Sequence, residues 1–160
     1  MCSQAIAIFN DEQIKGSVVF HQCEGERATK VTFDLHGLEP NRKRAIHIHT
    51  YGDMSNGCKS LGGHWNPSGN THGTIHIKGM ERHAGDLINN FITDQYGRFN
   101  YSYVDNMIRV KGPQSIVGRS VVIHDGADDL GLGNNPESLI TGNAGNRFAC
   151  AVIGLSNMEI

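Results

Sequence analysis

The chain has 160 residues, 38% of them hydrophobic and 19% charged, with a formal net charge of -2. That length suits one domain over residues 1–160, burying roughly 70% of the surface its unfolded chain would expose. No run of Lys and Arg marks a nucleic-acid or anionic-membrane binder, and no stretch approaches the roughly 20 apolar residues of a membrane span.

Met1-Cys2-Ser3-Gln4 leads into a short apolar run, without the basic start and longer apolar region of a secretory signal, so a cytoplasmic place is expected. Twenty glycines and little 3.6-residue periodicity point to an all-β protein with long loops. Strands are expected at Ala5–Phe9, Gly16–His21, Ala28–Leu35 and Lys43–His49. Two more, Asp86–Thr93 and Arg98–Val104, flank Asp94-Gln95-Tyr96-Gly97 and read as a local hairpin. Ser115–His124 and Phe148–Leu155 complete eight. Two four-stranded sheets face to face would leave the segments 50–85 and 125–147 as loops at the rim.

Chemistry concentrates around His47-Ile48-His49, at the end of the fourth strand, where residues two apart share a face. His64, His72 and His83 follow, then Asp86, in a loop rich in Gly, Asn and Ser. Imidazoles and a carboxylate converging from a strand and a loop are what a first-row transition metal needs. A His-x-His pair or a lone His124 would by itself pass as an ordinary surface or core feature.

Laid out in this way, the chain resembles the intracellular, dimeric copper/zinc superoxide dismutases over nearly its whole length. The resemblance rests on His47-Ile48-His49 with Tyr51-Gly52-Asp53, Gly57-Cys58, Gly63-His64-Trp65-Asn66-Pro67, His72-Gly73, Glu81 to Asp86, Val121 to Gly131, and Thr141 to Gly154. It implies a Greek-key, immunoglobulin-like sandwich or barrel of eight antiparallel strands, and disproportionation of superoxide to dioxygen and hydrogen peroxide by copper cycling. One copper per subunit would be held by His47, His49, His64 and His124, and one zinc by His64, His72, His83 and Asp86. His64, shared between the ions, would also carry a proton. Arg147 would orient the anion, and Asp128 would join the outer nitrogens of His47 and His72.

The same resemblance pairs Cys58 with Cys150 and leaves Cys2 and Cys23 as free thiols. It implies a homodimer through Ile6, Ile8, Tyr51, Gly52, Val117, Gly118 and Leu155. His21, His36 and His76 match no ligand position and are expected at the surface. Three departures stand out: a longer segment from His72 to His83, Gly126 and Ile140 where relatives often carry lysine, and no proline beside Arg147. The second predicts weaker electrostatic steering of the substrate, and the third makes a copper chaperone dispensable. A catalytically weak decoy or copper-chaperone-type module is the alternative.

Overall fold

Alternation shapes the first half of the chain. In β1 (Cys2–Asn10) Ala5, Ala7 and Phe9 turn inward, in β2 (Lys15–Cys23) Val18 and Phe20, and in β3 (Thr29–His36) Val31, Phe33 and Leu35. Side chains alternate between faces along a strand, so each of these strands buries one side and leaves the other toward solvent. β4 (Lys43–His49) departs from this, burying every residue after Lys43. Ile46 and Ile48 join the core, while His47 and His49 lie under the two long loops.

The computed structural model describes residues 1–157. The remaining elements are β5 (Ser55–Cys58), a single 3-10 turn at Ala84–Asp86, β6 (Asn90–Ile92), β7 (Phe99–Asp105), β8 (Ser120–His124), α1 (Ser138–Thr141) and β9 (Arg147–Ser156). Eight strands form one antiparallel barrel-like sheet in the Greek-key order β6-β4-β8-β9-β1-β2-β3-β7. It consists of two four-stranded halves joined where Gln4 to Ala7 of β1 pairs with Ser156 to Ile153 of β9. Phe20, Phe33, Ile48, Phe91 and Ile123 fill the space between the halves.

The expected hairpin is not formed as a ladder. β6 pairs with β4 and β7 with β3, at opposite ends of the sheet order. The turn itself is present, with Asp94 N–H on the Arg98 carbonyl and Gly97 at φ 72°. It links the two sheet halves, and Phe91 packs at a tilt against Phe99 across the gap with ring centroids 5.1 Å apart. Asp86 to Asn89 is not strand because Asp86 is drawn into the turn that follows His83. The seventh expected strand starts five residues late, since Ser115 to Arg119 is used in turns that bond to Arg109 and Ile153.

Two tethers fix the first long loop to the barrel. The Cys58–Cys150 disulfide joins residues 92 apart in sequence, which on chain entropy stabilises the fold by about 4 to 5 kcal/mol. Arg82 reaches both oxygens of Asp105 on β7, at 2.8 and 2.9 Å, with both side chains buried. The cysteines expected to be free are not: Cys2 and Cys23 are directly opposite in the β1–β2 ladder and form a second disulfide. Sequence spacing does not reveal this pair, because it depends on the register of two strands.

Candidate metal centre

Four imidazoles are held so that one nitrogen of each is used by the protein and the other is left over. His49 donates from Nδ1 to the Gly62 carbonyl, 2.8 Å away, and His124 from Nδ1 to the Gly145 carbonyl at 3.2 Å. His47 donates from Nε2 to Asp128 Oδ2 at 2.7 Å. The hydrogen bond fixes the tautomer in each case, so the opposite nitrogen presents a lone pair. His49 Nε2 and His124 Nε2 lie 3.2 Å apart, and the buried His47 Nδ1 and His64 Nε2 have no hydrogen-bond partner among the described residues. Ligand atoms of the four rings all fall within 4.8 Å of one another.

A second nest sits on the other side of the His64 ring. His64 Nδ1, His72 Nδ1 and His83 Nδ1 lie 3.0, 2.9 and 3.1 Å from Asp86 Oδ1. One carboxylate oxygen has two lone pairs, so three N–H donors overfill it. A single cation among the four atoms removes the conflict. Tetrahedral zinc with ligands about 2.0 Å away sets them about 3.3 Å apart, and His64 Nδ1 and His83 Nδ1 are 3.3 Å apart. Asp86 is aimed by its other oxygen, which accepts from the backbone N–H of Gly73 and of His83.

Asp128 links the two nests through Oδ2 on His47 and Oδ1 on His72, the latter 2.8 Å from Nε2. Sequence reasoning missed what aims it. Asn89 Nδ2 donates to Asp128 Oδ2, and Asn90 bonds both the N–H and the carbonyl of Asp128. Gly142, at φ 66° after α1, lets the second loop close on this carboxylate; a Cβ there would stand 2.4 Å from Asp128 Oδ1 and 2.5 Å from His72 Nε2.

Electrostatics follow from burial. Desolvation, then the neighbouring His64, lowers the His47 pKa to about 3. Desolvation leads again at His124, taken to about 4, and at His49 and His64, both lowered. Burial also works against charge on His72, yet its hydrogen bonds to Asp128 and Asp86 win and raise it to about 9. Burial would raise Asp86 and Asp128, but the histidines bonded to them hold both carboxyls well below the usual range. The rings of the first nest are therefore neutral at physiological pH.

A cavity of about 540 Å³ opens onto His49, His64 and His124 and carries Arg147 on its wall. Arg147 donates from Nη1 to the Cys58 carbonyl at 2.6 Å and from Nη2 to that of Gly62, which anchors the guanidinium beside the nest. Glu137 and Ile140, on the second loop, stand at the rim.

The sequence model of the copper/zinc superoxide dismutases matches residues 14–153. The chain belongs to that family. Superoxide dismutase (Cu-Zn) of Neurospora crassa is 49% identical over 156 residues, covering 96% of this chain and 98% of that one. The Saccharomyces cerevisiae protein of the same name is 48% identical over 155 residues, covering 96% and 99%. Among solved structures, the clock protein EA4 superposes with a TM-score of 0.88 at 40% identity, covering 96% of this chain and 95% of that one. Family and His/Asp nests together make this copper/zinc superoxide dismutase an oxidoreductase acting on superoxide, with one copper and one zinc.

The remaining expected positions fall outside the nests. Ile8, Tyr51 and Leu155 are exposed, and Ile6, Gly52 and Val117 are half-buried. Gly52 abuts the Gly118 carbonyl and Val152 so closely that a Cβ would stand 2.4 and 3.1 Å from them. His36 and His76 are exposed, His76 bonding the Ile88 carbonyl through Nε2. His21 is not simply a surface residue: it is half-buried beside the Cys23 sulfur.

Proposed function

We propose that copper is held by His47 through Nδ1 and by His49, His64 and His124 through Nε2. Zinc is held by Nδ1 of His64, His72 and His83 with Oδ1 of Asp86, so His64 serves both ions. The supporting observation is the pair of partnerless buried nitrogens, His47 Nδ1 and His64 Nε2. Buried polar atoms nearly always find partners, and here the missing partner is a cation.

Bound there, copper supplies a one-electron couple and zinc a redox-silent charge. The protein's share is to bind, orient and protonate. Two superoxide anions and two protons become one dioxygen and one hydrogen peroxide. Arg147, pinned by two carbonyls, keeps donors free toward the cavity and orients the small anion beside His124. His64 Nε2 would hold a proton between the two half-reactions whenever that nitrogen is not engaged by the metal, while Asp128 and the Gly62 and Gly145 carbonyls keep the other rings in their ligand tautomers.

The wider proposal is a cytoplasmic homodimer of one-domain subunits, metallated without an obligatory chaperone. For the dimer, the support is that Ile8, Tyr51 and Leu155, at positions the family resemblance assigns to its dimer face, are 62%, 58% and 71% exposed. For the chaperone, the support is the Asn146-Arg147-Phe148 sequence without proline.

Metal content and superoxide consumption measured on one purified sample, before and after adding copper, test the assignment. Arg147→Ala is expected to keep both metals and lose activity about tenfold or more, whereas His124→Ala keeps zinc and loses copper. Full copper occupancy without activity would replace this reading with a decoy or storage protein.

A further inference from the structure

We infer that Cys2, His21 and Cys23 form a second copper site, a nest for Cu(I) that opens when the Cys2–Cys23 disulfide is reduced. In the β1–β2 ladder Cys2 lies opposite Cys23, and His21 opposite Gln4. Cys23 and His21 are two residues apart on one strand and so share its outer face, the inner face being taken by Ala5, Val18 and Phe20. His21 Nε2 is 4.0 Å from the Cys23 sulfur, and one ligand atom from each of the three residues falls within 4.8 Å of the others. All three are half-buried, hence both sheltered and reachable.

The site is separate from the catalytic centre. Every proposed catalytic ligand comes from β4, β8 or the long loops, whereas these three stand on β1 and β2, in the other half of the sheet. Ligand type selects the ion. Two thiolates favour soft closed-shell cations, of which Cu(I) is content with three donors, while a structural zinc site takes four. Among the described residues no fourth His, Cys, Asp or Glu joins the group at that spacing. The nearby Glu26 carboxylate is engaged by the Cys23 backbone N–H at 3.2 Å.

The gate is thiol–disulfide exchange. A reductant thiolate attacks one sulfur of the Cys2–Cys23 bond and forms a mixed disulfide, and a second reductant thiol displaces the cysteine. Two electrons pass to Cys2 and Cys23, two protons complete their thiols, and the reductant leaves as its own disulfide. Cu(I) then displaces the two thiol protons and takes the His21 ring as third ligand. Exchange with a small-molecule disulfide runs the same steps backwards: it takes two electrons from Cys2 and Cys23, leaves as two thiols, and the re-formed bond expels the ion.

The test uses protein already loaded with copper and zinc, treated anaerobically with a dithiol and titrated with Cu(I) against a chromogenic Cu(I) chelator. About one further copper per chain is expected after reduction and none before it, with sulfur neighbours in X-ray absorption. Cys23→Ser is expected to abolish the uptake and His21→Ala to weaken it about tenfold or more, both retaining superoxide consumption. No extra copper in protein whose Cys2 and Cys23 thiols have been counted as free would overturn the site. So would equal uptake by Cys23→Ser, which assigns the copper to Cys58 and Cys150, or unchanged affinity in His21→Ala. Resistance of the Cys2–Cys23 bond to the dithiol would refute the gate.

Discussion

His47 and His72 belong to different nests, yet their Nε2 atoms rest on the two oxygens of one carboxylate, Asp128, at 2.7 and 2.8 Å. An ionised carboxylate accepts on both sides, so each ring keeps its proton on Nε2 and its lone pair on Nδ1. Asp128→Asn breaks that symmetry, because one side becomes an NH₂ donor. The ring facing it must accept through Nε2 and carry its proton on Nδ1, the proposed ligand atom. We expect about a 10- to 100-fold loss in metal affinity or activity, with a changed histidine tautomer visible by nitrogen NMR. Wild-type metal retention and tautomers in this variant would count against the relay.

Gly142 gives the second prediction. Alanine there would carry a Cβ into contact with Asp128 and His72 at a left-handed backbone position, a conformation costing about 1–3 kcal/mol for residues other than glycine. Gly142→Ala is expected to lower the melting temperature and to release zinc at lower chelator concentration. Gly145→Ala is the control: it shares the positive φ, but its Cβ would meet only the Gly126 nitrogen, at 3.7 Å. Equal zinc loss in both would mean that strain, and not contact with Asp128, is responsible.

Much of this centre was legible because its chemistry is carried by residue type. His47 and His49 on one strand, with His72, His83 and Asp86 in one loop, mark candidate ligands by their joint pattern, and the fold brings them together. What aims them was not legible. Asn89 and Asn90 read as ordinary loop residues, and their bonds to Asp128 cross 39 and 38 positions of sequence. The strand Ala28–Leu35 could be read from the alternation of Val31, Phe33 and Leu35, and Ala5–Phe9 from its apolar run, but the partners of β6 and β7 could not. A turn between two apolar runs predicts a hairpin locally, and only the closure of the sheet decides otherwise. The Cys2–Cys23 bond was hidden for the same reason, since register is a tertiary property.

Acid should unfold the metal-free protein in a definable window. His47 and His124 titrate near 3 and 4 in the fold against an ordinary 6.5, and His49 and His64 are lowered too. As pH falls below 6.5 the unfolded chain takes up protons that the native rings refuse, so stability falls. His72 acts oppositely: raised to about 9, it contributes fully below 6.5 and its contribution fades as pH rises toward 9. Asp86 and Asp128, held below 3.8, add a further loss as pH drops beneath that value. Melting temperatures of chelator-treated protein from pH 4 to 9 should peak near 6.5 and fall more steeply on the acid side. A maximum at pH 5 would contradict this.

Steering of the anion depends on the charge at the mouth of the cavity. The family's cavity is a target for a small anion, and charge on its rim raises the encounter rate in a salt-dependent way. Among the described residues Arg147 is the one Lys or Arg lining the cavity, Glu137 stands at the rim with opposite charge, and Ile140 is 58% exposed beside it. Glu137 offsets part of the Arg147 charge for an anion arriving within the screening length of about 8 to 10 Å in physiological salt. Ile140→Lys is therefore expected to speed superoxide consumption about two- to tenfold at low ionic strength. That gain should vanish as salt is raised, while the wild-type rate changes little over the same range. Stopped-flow rates across ionic strength decide it: a steep fall in the wild type would mean that charges elsewhere on the surface already steer the substrate.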